Sequence, residues 1–299
     1  MNKHHDVTDQ WGLEALKVKV LAFLKEAGIV LGAFLLLNNF VIASFLVPTG
    51  SMENEVLTGD LLFVNKFIYG GTSPRNIPFT NVRLPWFRLP PIDDVERGDV
   101  IVFEFPGYRE EVRPDEFQFY LKRCVGMPGD TIQIVNRVLY VNGAPAPLPR
   151  NLKVSRPGFP PDSTADERIF PPGLPWNEDN YGPLVVPHSG MRVELRAENF
   201  RRWETFIMRE GHQTMRSGDQ IFVDGKPVQE YTVERDYLFG MGDHRDNSLD
   251  SRYWGFIPEE NLVGSPILVY WSWDSNISWF DIFSRLGSIR WGRVGTLIR

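Results

Sequence analysis

Cysteine is nearly absent from this chain. Cys124 stands alone, so no intrachain disulfide can form and no CxxC metal knuckle exists. The five histidines (His4, His5, His188, His212, His244) show no HExxH spacing, and no metal or organic cofactor is expected. Positive charge is short too. With 32 Lys and Arg against 38 Asp and Glu, the net charge of −6 gives no electrostatic ground for a nucleic-acid partner. Long apolar runs are equally scarce: residues 27–47 form the one of membrane length. What is plentiful is glycine (26), proline (23) and aromatic side chains (13%), a mixture that favours strands, turns and loops over helical bundles. The 299 residues suffice for one large domain or two ordinary ones.

Residues 27–47 carry no charge, and Asn38 and Asn39 interrupt them near the middle. At about 1.5 Å per residue the run can cross a hydrocarbon core of about 30 Å. Lys3, Lys17, Lys19 and Lys25 precede it, whereas Glu53, Glu55 and Asp60 follow before the first positive residue, Lys66. That bias predicts a retained single-span anchor at the cell membrane, with residues 1–26 in the cytoplasm and everything after Pro48 outside. A cleaved export signal would have a shorter apolar core.

Beyond Asp60 the pattern is β. Leu61–Val64, Val100–Phe103, Thr131–Val135 and Ile221–Val223 each follow a Gly-Asp turn, the signal of short antiparallel strands. Asn142-Gly143 and Asp224-Gly225 read as hairpin corners. Between Ala144 and Ser217 the chain turns proline-rich and irregular, with a short helix expected within Arg192–Met208. Phe159, Phe170, Trp176 and Tyr181 in that stretch need something to pack on. The expected organisation is therefore mainly β: an anchor, a catalytic domain from residues 48–143 and 218–275, an inserted smaller subdomain at 144–217, and a tail at 276–299. The tail carries Trp279, Phe280, Phe283 and Trp291 beside Arg285, Arg290, Arg293 and Arg299, which suits either a membrane interface or packing on the domain.

Ser51 lies in Pro48-Thr49-Gly50-Ser51-Met52, where the apolar run ends. Most serines after a glycine are simply turn residues. Here, however, the flexible Gly50 leaves room for a substrate backbone, and the Ser51 N–H with the Thr49 hydroxyl could form an oxyanion hole. Lys122 sits in the alternating stretch Phe119-Tyr120-Leu121-Lys122-Arg123, whose default reading is a solvent-facing strand. A serine and a lysine make a complete acyl-transfer pair if the amine is kept neutral. That requires lowering a pKa of about 10.4 by roughly three units, or about 4 kcal/mol, and Met52, Val56, Tyr120 and the lipid surface are the expected sources of burial. A third run, Gly242-Asp243-His244-Arg245-Asp246-Asn247-Ser248 through Trp254-Gly255, is dense in acids and arginines. Such a loop would pair internally and hold Ser248 or Ser251 against the lysine. A triad of Ser51 with His244 and Asp243 is the rival, disfavoured because neighbouring strand residues point to opposite sides.

These three motifs, in this order and with Gly59-Asp60 and Gly126-Met127-Pro128-Gly129-Asp130 between them, resemble the bacterial type I signal peptidases. The resemblance implies a membrane-bound Ser/Lys-dyad endopeptidase that removes signal peptides from exported preproteins. By that resemblance Ser51 is the nucleophile, Lys122 the general base, Thr49 an oxyanion donor and Ser248 the hydroxyl orienting the lysine, with Asp250 and Arg252 supporting the loop. Two departures stand out. The family's Ser-Met-x-Pro-Thr-Leu reads Ser51-Met52-Glu53-Asn54-Glu55-Val56, and its Gly-Asp-Asn-Arg reads Gly242-Asp243-His244-Arg245. Substrate is expected to bind extended along Phe45–Val47 and Tyr120–Lys122. Phe45, Val47, Met52, Val56 and Leu121 would line apolar pockets suited to Ala-x-Ala sites. Expected partners are preprotein signal peptides and the lipid bilayer, with the protein-export machinery as a further candidate.

Overall fold

The computed structural model describes residues 5–77, 80–160, 165–278 and 280–299, with side chains from residue 16 onward. Lys3 and Trp279, which entered the reading of the anchor and the tail, lie outside them. The first element is helix α1 (His5–Phe40), whose portion Leu16–Phe40 has a mean hydropathy of 2.1 and is largely exposed, touching the rest of the chain at its C-terminal end, where Phe40 meets Phe87. By length and composition it can cross a membrane. Its boundaries differ from the expected 27–47. The helix begins earlier, through Lys17, Lys19 and Lys25, and stops at Phe40. Asn38 and Asn39 therefore mark its exit, not its middle: the Asn38 carbonyl accepts from Lys66 Nζ at 3.5 Å. The rest of the apolar run, rich in β-branched and aromatic residues, is strand β1 (Ile42–Leu46).

β1 is the edge of an antiparallel sheet and pairs with β2 (Asp60–Asn65) in the register Ile42↔Asn65 to Leu46↔Leu61. β3 (Val100–Glu104) and β4 (Phe119–Gly126) follow as a pair, Ile101 opposite Lys122. The chain then leaves this sheet. β5 (Thr131–Val135), β6 (Val138–Val141), β7 (Ala144–Pro145) and β8 (Tyr181–Val185) form a second sheet in the order β7-β6-β5-β8. After β9 (Arg192–Glu194) comes the expected short helix, α2 (Phe200–Arg209). β10 (Thr214–Ser217), β11 (Gln220–Val223) and β12 (Lys226–Val228) make a three-stranded meander, and β13 (Glu230–Thr232) pairs back onto β9. The excursion thus begins at Thr131 and ends near Thr232, not at the expected 144 and 217: the strands on either side pair with partners inside it. Both hairpin corners hold the left-handed backbone their residues favour, with φ 54° at Asn142, 78° at Gly143, 50° at Asp224 and 74° at Gly225.

The chain returns to the first sheet as β14 (Tyr237–Met241), the short helix α3 (Ser251–Trp254), β15 (Ile257–Pro258) and the long β16 (Leu262–Ser272), completing seven strands in the order β1-β2-β16-β3-β4-β14-β15. One core, including Val47, Met52, Val56, Leu62 and Val102, lies under the end of β1. A second, including Ile101, Phe103, Cys124 and Trp254, lies under β3 and β4, and a larger third joins β14 to the excursion. Cys124 is a buried free thiol. Helix α4 (Ile282–Gly287) lies in the tail. Beyond it the tail is bound to the domain: Arg290 donates to the Thr58 carbonyl at 2.9 Å, Arg293 to Asp60 at 2.5 Å, and Leu297 bridges to Leu268.

Candidate active site

Two strand edges frame a cleft. Among the described residues β1 pairs on one side only, with β2, and residues 119–122 of β4 pair only with β3, because β14 joins β4 from Arg123 onward. Phe45 from the first edge meets Phe119 from the second edge-on, with ring centroids 5.2 Å apart. Between them opens a cavity of about 860 Å³. Phe45, Val47, Thr49, Ser51, Met52, Tyr120, Leu121, Lys122 and Ser248 all line it. Val56 does not. The turn after Ser51, closed by Val56 N–H donating to the Met52 carbonyl at 2.9 Å, carries its side chain into the core below.

Ser51 and Lys122 meet on the cleft floor. Lys122 Nζ lies 2.7 Å from Ser51 Oγ, and its other partner is the Leu121 carbonyl at 3.2 Å. The solvent-facing reading of this lysine fails because β4 passes between two cores from this residue on: Lys122 is 4% exposed. Burial pushes its ammonium down to about 8, with the charge of Asp250 pulling the other way and Arg252 adding to the depression. A hydroxyl so placed can pass its proton to the amine as the oxygen attacks a carbonyl. The Ser51 N–H is unengaged among the described residues, and Thr49 is exposed at the cleft rim.

Asp250 and Arg252 sit beneath, both wholly buried. Their carboxylate and guanidinium pair at 2.9 Å, and Asp250 also accepts from the Gly242 N–H at 3.1 Å. Burial works against the Asp250 charge, but Arg252 and these donors hold its pKa below the ordinary carboxylate value. Arg252 extends the network to the Arg245 carbonyl at 2.8 Å and the Glu178 carbonyl at 3.2 Å. Ser248 is brought to the cleft yet makes no hydrogen bond to Lys122; its buried hydroxyl has no hydrogen-bond partner among the described residues, and Asp250 is its polar neighbour. Ser251 faces away, accepting from the Gly240 N–H at 3.0 Å. Gly242 is required where it stands, because a Cβ there would run into the Ser51 carbonyl and the Ser248 side chain.

The triad alternative does not assemble. Asp243 is paired through both oxygens with Arg123, at 2.8 and 2.6 Å. His244 turns away from the cleft towards Ser155, 3.0 Å from its Nε2. Sequence reasoning missed several cleft residues: Leu62, Val102, Phe119, Asn247, Leu249, Tyr253 and, from the excursion, Arg168. Only Phe119 carried a readable signal, since it shares the strand alternation of Leu121.

A mainly β domain with a hydroxyl hydrogen-bonded to a desolvated lysine on its cleft floor belongs among the serine peptidases. Residues 20–271 match the family described as signal peptidase, peptidase S26, and the chain belongs to that family. It is 31% identical over 274 residues to a signal peptidase I of Pseudomonas aeruginosa, covering 87% of this chain and 76% of the relative. A signal peptidase I of Buchnera aphidicola subsp. Schizaphis graminum is 31% identical over 80% of this chain and 71% of its own. One from Helicobacter pylori is 29% identical over 80% of this chain and 78% of its own.

Proposed function

We propose that this protein cleaves signal peptides from exported preproteins at Ala-x-Ala sites, with Ser51 as nucleophile and Lys122 as general base. The observation that carries this reading is the 2.7 Å contact between Ser51 Oγ and the buried Lys122 amine, whose pKa that burial lowers. The substrate lies extended between the free edges of β1 and residues 119–122, adding a strand. Phe45, Val47, Met52 and Leu121 line the cleft there, and this reading assigns them the pockets that take the small side chains.

Ser51 Oγ attacks the scissile carbonyl carbon while Lys122 Nζ takes its proton. The tetrahedral oxyanion accepts hydrogen bonds from the Ser51 N–H and the Thr49 hydroxyl. Lys122 then returns its proton to the leaving amine, which departs as the new N-terminus, and Ser51 is left as an ester. A water gives its proton to Lys122 as it attacks the ester, and Lys122 returns that proton to the departing Ser51 Oγ as the signal peptide leaves with its new C-terminal carboxyl group. Neither a metal nor an organic cofactor is needed for any step. Asp250 and Arg252 fix the loop behind the lysine, and this reading assigns Ser248 the hydroxyl that orients the amine once substrate fills the cleft. The lysines in and before α1 orient the protein as a single-span enzyme, N-terminus in the cytoplasm and cleft at the outer face of the cell membrane. The bilayer, and the export machinery that delivers preproteins, are then its natural partners.

Ser51→Ala and Lys122→Ala are each expected to abolish cleavage of a defined preprotein, while His244→Ala retains activity. Sequencing the product's new N-terminus checks the site. Capture of the preprotein without cleavage by the unaltered enzyme would instead indicate a binding protein, and loss of activity in His244→Ala alone would restore the triad.

A further inference from the structure

The loop that carries Ser51 departs from the family pattern at Asn54 and Glu55, and other contacts hold those positions. Asn54 adopts a left-handed backbone at φ 82°, a conformation asparagine tolerates. Glu55 is buried but lies outside the cleft. Its carboxylate accepts from the Arg299 N–H at 2.7 Å and from Asn151 Nδ2, and lies 4.0 Å from the Arg123 guanidinium. Glu53 pairs with Lys153 Nζ at 3.0 Å and faces His244 Nδ1 at 3.2 Å.

Asn151 and Lys153 come from one short segment of the excursion, residues 151–155. This segment runs parallel to Asp243–Arg245. The Lys153 N–H donates to the Asp243 carbonyl at 2.9 Å, and the Arg245 N–H donates to the Lys153 carbonyl at 3.1 Å. Ser155 is hydrogen-bonded to His244 Nε2, and its N–H donates to Asp246. The His244 N–H in turn donates to the Ser51 carbonyl at 3.0 Å. One segment therefore grips both the loop bearing the nucleophile and the loop bearing Ser248.

We propose that residues 151–155 are a positioning strap that holds Ser51 Oγ against Lys122 through Glu53 and Glu55. The inference rests on the Ser51–Lys122 reading. Glu53, Glu55, Asn151 and Lys153 do not line the cleft, so their influence passes through the backbone of Ser51. They are positioning residues.

The test is steady-state cleavage of a defined preprotein by the full-length protein in detergent. A displacement of about 1 Å at a reacting atom can cost on the order of a hundredfold, so Glu55→Ala is expected to lower kcat about tenfold or more with KM unchanged within about twofold. Glu55→Gln keeps an oxygen for the Arg299 N–H and should recover most of the loss. Glu53→Ala and Lys153→Ala should each lower kcat about two- to fivefold, the range of a partly exposed ion pair, and the double variant no further. The midpoint of the pH profile should stay put in all five variants. Unchanged kcat in Glu55→Ala, or a raised KM in place of a lowered kcat, would overturn the strap. If Glu55→Ala proves too unstable to assay, the more exposed Glu53–Lys153 pair decides: no loss, or fully additive losses, would overturn it. A Ser51→Ala enzyme that still cleaves would sink the underlying dyad instead, a result distinguishable from either.

Discussion

Burying the amine of Lys122 moves its pKa from 10.5 to about 8, chiefly through lost hydration, with Asp250 restraining the shift and Arg252 furthering it. The consequence for stability has a definite sign. Below pH 8 the side chain is protonated in both folded and unfolded chains, and the folded state bears the cost of a buried ammonium, about 3 kcal/mol for a shift of this size. That cost is relieved as pH rises from 8 towards 10.5, where the folded form is neutral and the unfolded form still protonated. Lys122→Met should therefore abolish cleavage yet raise the unfolding free energy at pH 7 by about 1–3 kcal/mol, read from urea denaturation. Lower stability in the variant would mean that the amine is better compensated than its partners indicate. The Asp250–Arg252 pair is the opposite case. Each charge is tolerable only beside the other, and removing one partner of such a pair typically costs about 3–5 kcal/mol.

At the scale of elements, the site depends on how β4 and β14 deliver their ends. β4 brings Lys122 to the point where pairing switches from β3 alone to β3 and β14 together. β14 ends at Met241, and the next residue, Gly242, lets the acid-rich loop pass directly over the Ser51 carbonyl. Gly242→Ala is expected to lower kcat/KM by about a hundredfold or more by separating Ser51 from Lys122, and a preprotein assay beside a thermal melt checks it. Near-normal cleavage would show that the loop can back away. Much of this was legible beforehand. The Gly-Asp turns announced β2, β3, β5 and β11, and Asn142-Gly143 and Asp224-Gly225 announced their hairpins, because those signals depend on local backbone preference alone. The end of α1 was not, because Phe40 and Ile42 are equally apolar, and only the pairing of β1 with β2 tells strand from helix. Nor was the burial of Lys122, a tertiary consequence of the cores on either side of β4. The pairing of Glu55 with Asn151 spans 96 positions and left no local mark.

Over the whole molecule, the anchor and the cleft are joined with little slack. One residue, Val41, separates α1 from β1, and Lys66 reaches back from the end of β2 to the last turn of the helix. The same strand whose outer edge bounds the cleft thus emerges directly from the apolar helix. The tail divides the two readings its composition allowed. Arg290, Arg293 and Arg299 are bound to the domain, whereas Phe280 and Phe283 remain 98% and 89% exposed. Aromatic and arginine content alone could not separate these halves. The excursion from Thr131 to Thr232 supplies the strap behind Ser51 and the cleft residue Arg168, so it belongs to the architecture of the site.

The dyad requires an amine beside Ser51 that gives up its proton far more readily than an ordinary lysine, so that a working fraction is neutral near physiological pH. Titrating Lys122 in the full-length protein by 15N NMR, with the amine selectively labelled, tests this directly. A pKa of about 8 at Lys122 is expected, and a value at or above the ordinary 10.5 would contradict it.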